Sequence, residues 1–213
     1  MIFYIVRHGE TEWNRVKRMQ GQTDIPLAEE GIRLARRSGE MMRELPIDLI
    51  ISSPLSRAVE TARLMTEGRD IPLLTDSRIQ EISFGDWEGE YILESRTVPE
   101  DYREIFYNEP LLCKAPPNGE SFADVLERTQ ALFEELTGNP AYQDKHILIS
   151  SHGAASRCFL ANFYEDKSDI WRGSIPKNCA VTIAEYADGK AWVKELDHLF
   201  YECVLDNYEN EKQ

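Results

Sequence analysis

A chain of 213 residues, 42% hydrophobic, 10% aromatic and 29% charged, has the profile of one soluble globular domain with a full core. Its 38 acidic residues against 24 basic ones leave a net charge of −14, which argues against nucleic acid or an anionic membrane as partner and leaves any anionic ligand to a local basic pocket. No charged leader opens the chain and no apolar run has the length of a membrane span, so a cytoplasmic protein is expected.

In chain order, the apolar run Ile2–Val6 reads as a buried strand and leads directly into Arg7, His8 and Gly9 of "IVRHGETEWN". A helix is expected from Glu29 to Leu45, followed by a strand over Leu49–Ile51. Ser52 to Ser56 then turn the chain into a helix from Leu55 to Met65, with Arg57 in its first turn. The helix dipole opposes a cation there, so Arg57 is expected to point at something negative, a surface ion pair being the plainer alternative. After a strand over Ile71–Leu74 comes Glu81, among Ile79, Ile82, Phe84 and Trp87, where partial burial would suit a general acid.

Residues 85–120 are aromatic and acidic, carry Pro99, Pro110, Pro116 and Pro117, and lack a strand of core quality; they read as an insertion over one end of the sheet. The strongest helical pattern follows: Phe122, Val125, Leu126, Thr129, Leu132, Phe133 and Leu136 recur three or four apart behind Ser121, and Asp124 completes a capping box. A strand over Ile147–Ile149 ends on His152, and Gly153 opens a helix whose free N–H groups favour an anion. Asp188-Gly189, between "AVTIAEY" and "KAWVKEL", is a hairpin signal. The tail "DNYENEKQ" has little to bury and is expected to be loose.

The alternation of strands and helices predicts an α/β fold: a three-layer sandwich with a mostly parallel central sheet, helices on both faces and an antiparallel edge hairpin near the C-terminus. One domain over 1–213, with the insertion at about 85–120 covering the active site, is the expected organisation. Cys113, Cys158, Cys179 and Cys203 are scattered without a C-x-x-C pair and read as free thiols, not as a disulfide framework or zinc cluster.

Two of the four histidines, His8 and His152, share one setting, behind an apolar strand and before a glycine. Ligands of open α/β sheets bind at the carboxyl ends of strands, so both imidazoles belong on one rim. Either histidine alone would more often be a packed core residue; the matched pair is harder to dismiss. Two arginines, two histidines and one carboxyl at strand ends suit phosphoryl transfer in which guanidinium groups supply the positive charge that Mg²⁺ supplies elsewhere. No Walker loop, dinucleotide fingerprint or H-E-x-x-H is present.

The stretches "VRHGETEWN", "RMQGQTDIPLAEEG", "SSPLSRAVETA", "EISFGDWEG" and "SHGAASR", in that order, resemble the histidine phosphatase superfamily, also called phosphoglycerate-mutase-like, and cover roughly residues 1–190. Closest in wording are its bacterial broad-specificity phosphatases and its alpha-ribazole phosphatases. The resemblance implies that His8 is the nucleophile, that Arg7, Arg57 and a protonated His152 hold the transferring phosphoryl group, and that Glu81 is the acid. It further places Asn14, Gln20 and Gly21 beside the phosphate, joined by Gly153 at its helix start. It implies no metal and no cofactor.

The expected activity is hydrolysis of a small-molecule phosphate ester by a monomer or homodimer. A phosphoglycerate mutase is the alternative, but it would need extra cations for a second acidic group. Between Ile82 and Glu120 only Arg96, Arg103 and Lys114 are basic, against nine acids. A catalytically silent phospholigand-binding module is a further alternative. Trp87, Tyr91, Tyr102, Phe106, Tyr107, Leu111 and Leu112 either form an apolar mouth or pack the insertion onto the core.

Overall fold

The computed structural model describes residues 1–92 and 95–203; the expectation for the tail falls outside them. A six-stranded sheet runs in the order β3-β2-β4-β1-β5-β6. Strands β1 (Ile2–Arg7), β2 (Leu49–Ser52), β3 (Leu73–Thr75) and β4 (His146–Ser151) are mutually parallel. Strand β5 (Val181–Ala187) pairs antiparallel with β1, and β6 (Lys190–His198) closes the edge against β5. Asp188 (φ 52°) and Gly189 (φ 74°) turn that hairpin with two positive φ values, the type I′ geometry whose twist matches its strands.

Alternate residues of the central strands feed opposite faces of the sheet. Phe3, Ile5, Ile51 and Ile149 pack with Leu132 and Leu136 of α5 (Phe122–Gly138) and Phe159 of α6 (Gly153–Leu160). Tyr4, Val6, Ile50 and Leu148 pack instead with Ala35 of α2 (Glu29–Met41) and with Ala62 and Met65 of α3 (Ser56–Met65). The result is the three-layer α/β arrangement that the alternation predicts. A short helix α1 (Glu12–Arg15) sits between β1 and α2, held by a capping box of Thr11 and Asn14.

Several element ends shift by one to four residues from the sequence expectation, and two shifts have a proline behind them. Helix α2 stops at Met41, four residues early, because Pro46 disfavours a helical conformation at Leu45 and the chain closes with single turns such as Leu45 N–H to Met42 O, 3.0 Å. Strand β3 begins at Leu73, since Pro72 has no N–H to give the ladder, although its carbonyl still accepts from Ile50 N at 2.9 Å. Both changes leave the carboxyl ends of β1, β2 and β4 where the sequence put them.

Residues 85–120 contain, where described, 3₁₀ turns at Gly85–Trp87 and Pro110–Leu112 and one helix, α4 (Tyr102–Asn108). Tyr102 and Phe106 of α4 join a second apolar cluster with Met19, Ile82, Phe122 and Trp171, and the Trp171 indole N–H donates to Phe106 O at 2.9 Å.

Phe159 is fully buried and its ring meets Phe3 at 5.8 Å, edge-on. Phe159→Ala is therefore expected to lower stability by about 3–5 kcal/mol. Urea denaturation should show a lower midpoint with an unchanged slope.

Candidate active site

Parallel strands β1, β4 and β2 end together, and the segments leaving them are stitched by His8 N–H to Ser151 O and Ser53 N–H to Ser150 O, both 2.9 Å. This register brings His8 and His152 to one rim, with ring centroids 5.1 Å apart and planes at 60°. Both are buried. His8 Nδ1 lies 2.6 Å from Gly9 O; a carbonyl only accepts, so Nδ1 carries the hydrogen and Nε2 keeps its lone pair. That lone pair belongs to a ring lining the cavity described below. His152 Nε2 lies 2.8 Å from Ser53 Oγ. With the Ser53 hydroxyl donating, the hydrogen of neutral His152 is on Nδ1.

Two guanidinium groups flank the rings. Arg57 is completely buried and gives Nη1 to Thr23 O (2.8 Å) and Nη2 to Gly21 O (2.6 Å). Arg7 gives Nη1 to Pro176 O at 2.6 Å. Among the described residues neither arginine makes an ion pair, and Arg7 Nε, Arg57 Nε and His152 Nδ1 are buried polar atoms without a hydrogen-bond partner. Buried donors are almost always satisfied, so three orphans around one histidine mark a place built for an acceptor.

Burial lowers the Arg57 pKa to about 10, which still leaves it cationic at neutral pH. Arg7 is lowered for the same reason, with Glu81 acting against the shift. These charges act on the imidazoles. Burial first, then Arg57 and Arg7, hold His8 well below its ordinary 6.5, and burial, Arg57, His8 and Arg7 do the same to His152. Without a bound anion both rings therefore favour the neutral form, and a dianionic phosphoryl group beside His152 would pull its pKa back up.

Glu81 reaches the same place by an unexpected route. Its oxygens accept from the backbone N–H groups of Gly153 (2.8 Å), Ala154 (3.3 Å), Ala155 (3.0 Å) and Ile82 (2.9 Å). The group at the N-terminus of α6 is thus the protein's own carboxyl, received by backbone amides. A β-carbon on Gly153 would crowd Ile175 Cγ2 at 3.2 Å and come into ordinary contact with Glu81 Oε2 at 3.5 Å.

Asn14, Gln20 and Gly21 complete the rim. Asn14 Oδ1 accepts from Thr11 N–H (3.2 Å) and from Asn178 Nδ2 (3.3 Å), while Gln20 Oε1 accepts from the Thr11 hydroxyl. Gly21 has φ 51°, and a side chain there would strike the Glu88 carboxylate, which binds Gln22 N at 2.8 Å and Thr23 N at 2.6 Å. That loop presents the carbonyls that hold Arg57.

Every site residue expected from the sequence lines this cavity except His152, whose ring packs edge-on against His8. Sequence reasoning missed Ser53, Asn178, Glu88 and the Pro176 carbonyl. Ser53, inside "SSPLSR", and Glu88, inside "EISFGDWEG", lay in stretches already singled out; Asn178 and the Pro176 carbonyl act from a distant loop. Above the polar floor the walls are apolar, with Phe84, Ile92, Val98, Phe106 and Trp171, and Arg18, Arg103 and Tyr107 at their edge. Tyr102 and Tyr107 line this mouth, whereas Trp87 packs on Tyr102 at 4.7 Å and Leu112 is exposed.

The family pattern of the histidine phosphatase superfamily (branch 1) matches residues 3–198, and the chain belongs to that superfamily of enzymes. It is 34% identical over 193 residues to the uncharacterized phosphatase PhoE of Bacillus subtilis, covering 91% of this chain and 92% of the relative. It is 32% identical over 200 residues to the probable phosphoglycerate mutase GpmB of Proteus mirabilis, covering 90% of each. Among solved structures, YhfR of Bacillus stearothermophilus superposes with a TM-score of 0.86 at 33% identity, over 94% of this chain and 99% of that one.

The histidine environment has a measurable consequence. Both native pKa values lie below 6.5, so between those values and 6.5 the unfolded chain binds more protons than the native one. The stabilisation is complete above 6.5 and is lost as the pH falls beneath it. The ring C–H resonances of His8 and His152 are expected to keep their neutral positions while a sample is titrated down through pH 6.5. A midpoint at or above 6.5 for either ring contradicts the assignment.

Proposed function

We propose that this protein hydrolyses small-molecule phosphate monoesters without a metal ion, through a phosphohistidine on His8. The observation that carries the reading is the trio of unpartnered donors, Arg7 Nε, Arg57 Nε and His152 Nδ1, gathered about a histidine whose Nε2 is left unprotonated. A phosphoryl group has three equatorial oxygens to match them.

Neutral His8 attacks phosphorus through Nε2, opposite the ester oxygen, while Nδ1–H remains on Gly9 O. Arg7, Arg57 and His152 stabilise charge on the equatorial oxygens from fixed positions, with Asn14, Gln20, Gly21 and Gly153 bordering them. Glu81 gives a proton to the departing alkoxide. Water then attacks the phosphohistidine and passes its proton to Glu81, releasing inorganic phosphate and restoring His8. The 85–120 segment acts as a cover whose apolar inner wall receives the body of the ester. The excess of acids over bases between Ile82 and Glu120 favours hydrolysis over mutase chemistry, which must hold a second acidic group; of the cations in the cavity lining beyond Arg7 and Arg57, Arg18 and Arg103 are the ones such a group would have to use. Because the nucleophile, acid and donors are all present and assembled, a silent binding module is the weaker reading.

With a chromogenic phosphate ester in EDTA, the parent should turn over undiminished and His8→Ala should lose activity. Mass spectrometry should find acid-labile phosphate on His8. Arg57→Ala should cost about 10² to 10³ in rate, the scale of one preorganised charge donor. Unchanged turnover by His8→Ala, abolition by EDTA, or activity that requires 2,3-bisphosphoglycerate priming would overturn the proposal.

A further inference from the structure

Glu81 lies on residues 80–84, which belong to no strand or helix, although the proposed reaction asks its carboxyl to meet the leaving oxygen within a few tenths of an ångström. Loop backbone does not hold such a position unaided. The carboxyl itself is met by the amides at the start of α6, and what holds the backbone that carries it is Arg128 on α5. Its Nη1 donates to Arg78 O and Gln80 O, both at 2.8 Å, and its Nη2 to Glu81 O at 3.1 Å. The other edge of the guanidinium pairs with Glu120, Nε to Oε1 at 2.9 Å and Nη2 to Oε2 at 3.0 Å. Glu120 Oε2 also accepts from Ser83 N–H at 2.9 Å, so the two side chains grip the backbone on both sides of Glu81.

The grip extends further. Gln22 Nε2 donates to Glu81 O at 3.0 Å and to Glu120 Oε2 at 3.2 Å. Gln22 lies between Gly21 and Thr23, whose carbonyls hold Arg57. Arg128 itself does not line the cavity, and its charge is matched by Glu120 beside it. Its planar fork matches several fixed acceptors at once, which a lysine's point charge does not.

We infer that Arg128, backed by Glu120, is a positioning residue that fixes the Glu81 carboxyl for proton transfer to the leaving group. The inference rests on the acid role proposed for Glu81, and it predicts an effect that depends on the leaving group. A p-nitrophenolate departs with little protonation, whereas an alkoxide needs the proton in the transition state. Loosening Glu81 should therefore slow alkyl esters selectively, while general damage to the site slows both kinds.

The test compares kcat/KM for p-nitrophenyl phosphate and n-butyl phosphate in the parent, Glu81→Gln, Arg128→Met and Arg128→Lys, since kcat/KM reports the phosphorylation half-reaction even where water attack limits kcat. Arg128→Met is expected to lose about 10- to 100-fold on butyl phosphate, the cost typical of removing a residue that orients a reacting group, with a much smaller loss on the nitrophenyl ester. Glu81→Gln should show the same pattern, and Arg128→Lys should fall between Arg128→Met and the parent. Should Arg128→Met not fold, the ratio of the two losses in Arg128→Lys decides. Equal losses on both esters, or none, in the arginine variants alongside a selective loss in Glu81→Gln would overturn the positioning role and leave the acid standing. A Glu81→Gln protein without selectivity would overturn the acid role, and this inference with it.

Discussion

Two guanidinium groups, Arg57 buried and Arg7 half-buried, without a carboxylate partner among the described residues govern this site. An arginine kept from water costs several kcal/mol unless its charge is answered. Arg7 and Arg57 answer it only in part, by giving terminal nitrogens to the carbonyls of Pro176, Gly21 and Thr23. Each Nε remains unmet. The positive potential so created, on a protein whose net charge is −14, is local and confined to the strand rim. It also sets the state of both imidazoles, since next to two cations in a dry place neither ring readily takes a proton. A neutral His8 is the form that the proposed attack on phosphorus requires, so under that proposal one arrangement of charge serves both the anion and the nucleophile.

Neutral rings need fixed hydrogens, and each obtains one from its other nitrogen. Gly9 O holds the Nδ1–H of His8, and Ser53 Oγ meets Nε2 of His152, which leaves Nε2 of His8 and Nδ1 of His152 without a protein partner among the described residues. The loops that supply these partners are themselves tied down. Gly9 N–H donates to Thr61 Oγ1 at 2.9 Å, and Asn178 Nδ2 donates to His8 O at 2.9 Å from the far end of the chain. Glu88 and Glu120, two of the many acids in the 82–120 region, are spent on backbone amides and leave the cavity walls apolar.

Much of this was legible in the sequence because it follows from local chemistry. An apolar strand that ends on His-Gly twice, an arginine in a first turn where the dipole opposes it, and Asp-Gly between alternating runs each state a local requirement that the fold then meets. The hairpin and the shared rim of His8 and His152 came through for that reason. The setting of Glu81 did not, because its partners are the amides of Gly153, Ala154 and Ala155, and amides carry no sequence signature. Arg128 and Asn178 were invisible on the same grounds: they act on carbonyls 47 and 170 positions away. The lowered basicity of His152 depends on burial and on the nearness of Arg57, His8 and Arg7, quantities that no motif encodes.

The central claim is that His8 and three donors surround one tetrahedral anion, and a crystal structure of the protein soaked with orthovanadate examines it most directly. The account predicts vanadium bonded to His8 Nε2 in a trigonal bipyramid, with Arg7 Nε, Arg57 Nε and His152 Nδ1 each on an equatorial oxygen. Vanadate seated away from His8, or bound with those three nitrogens still unpartnered, would contradict it.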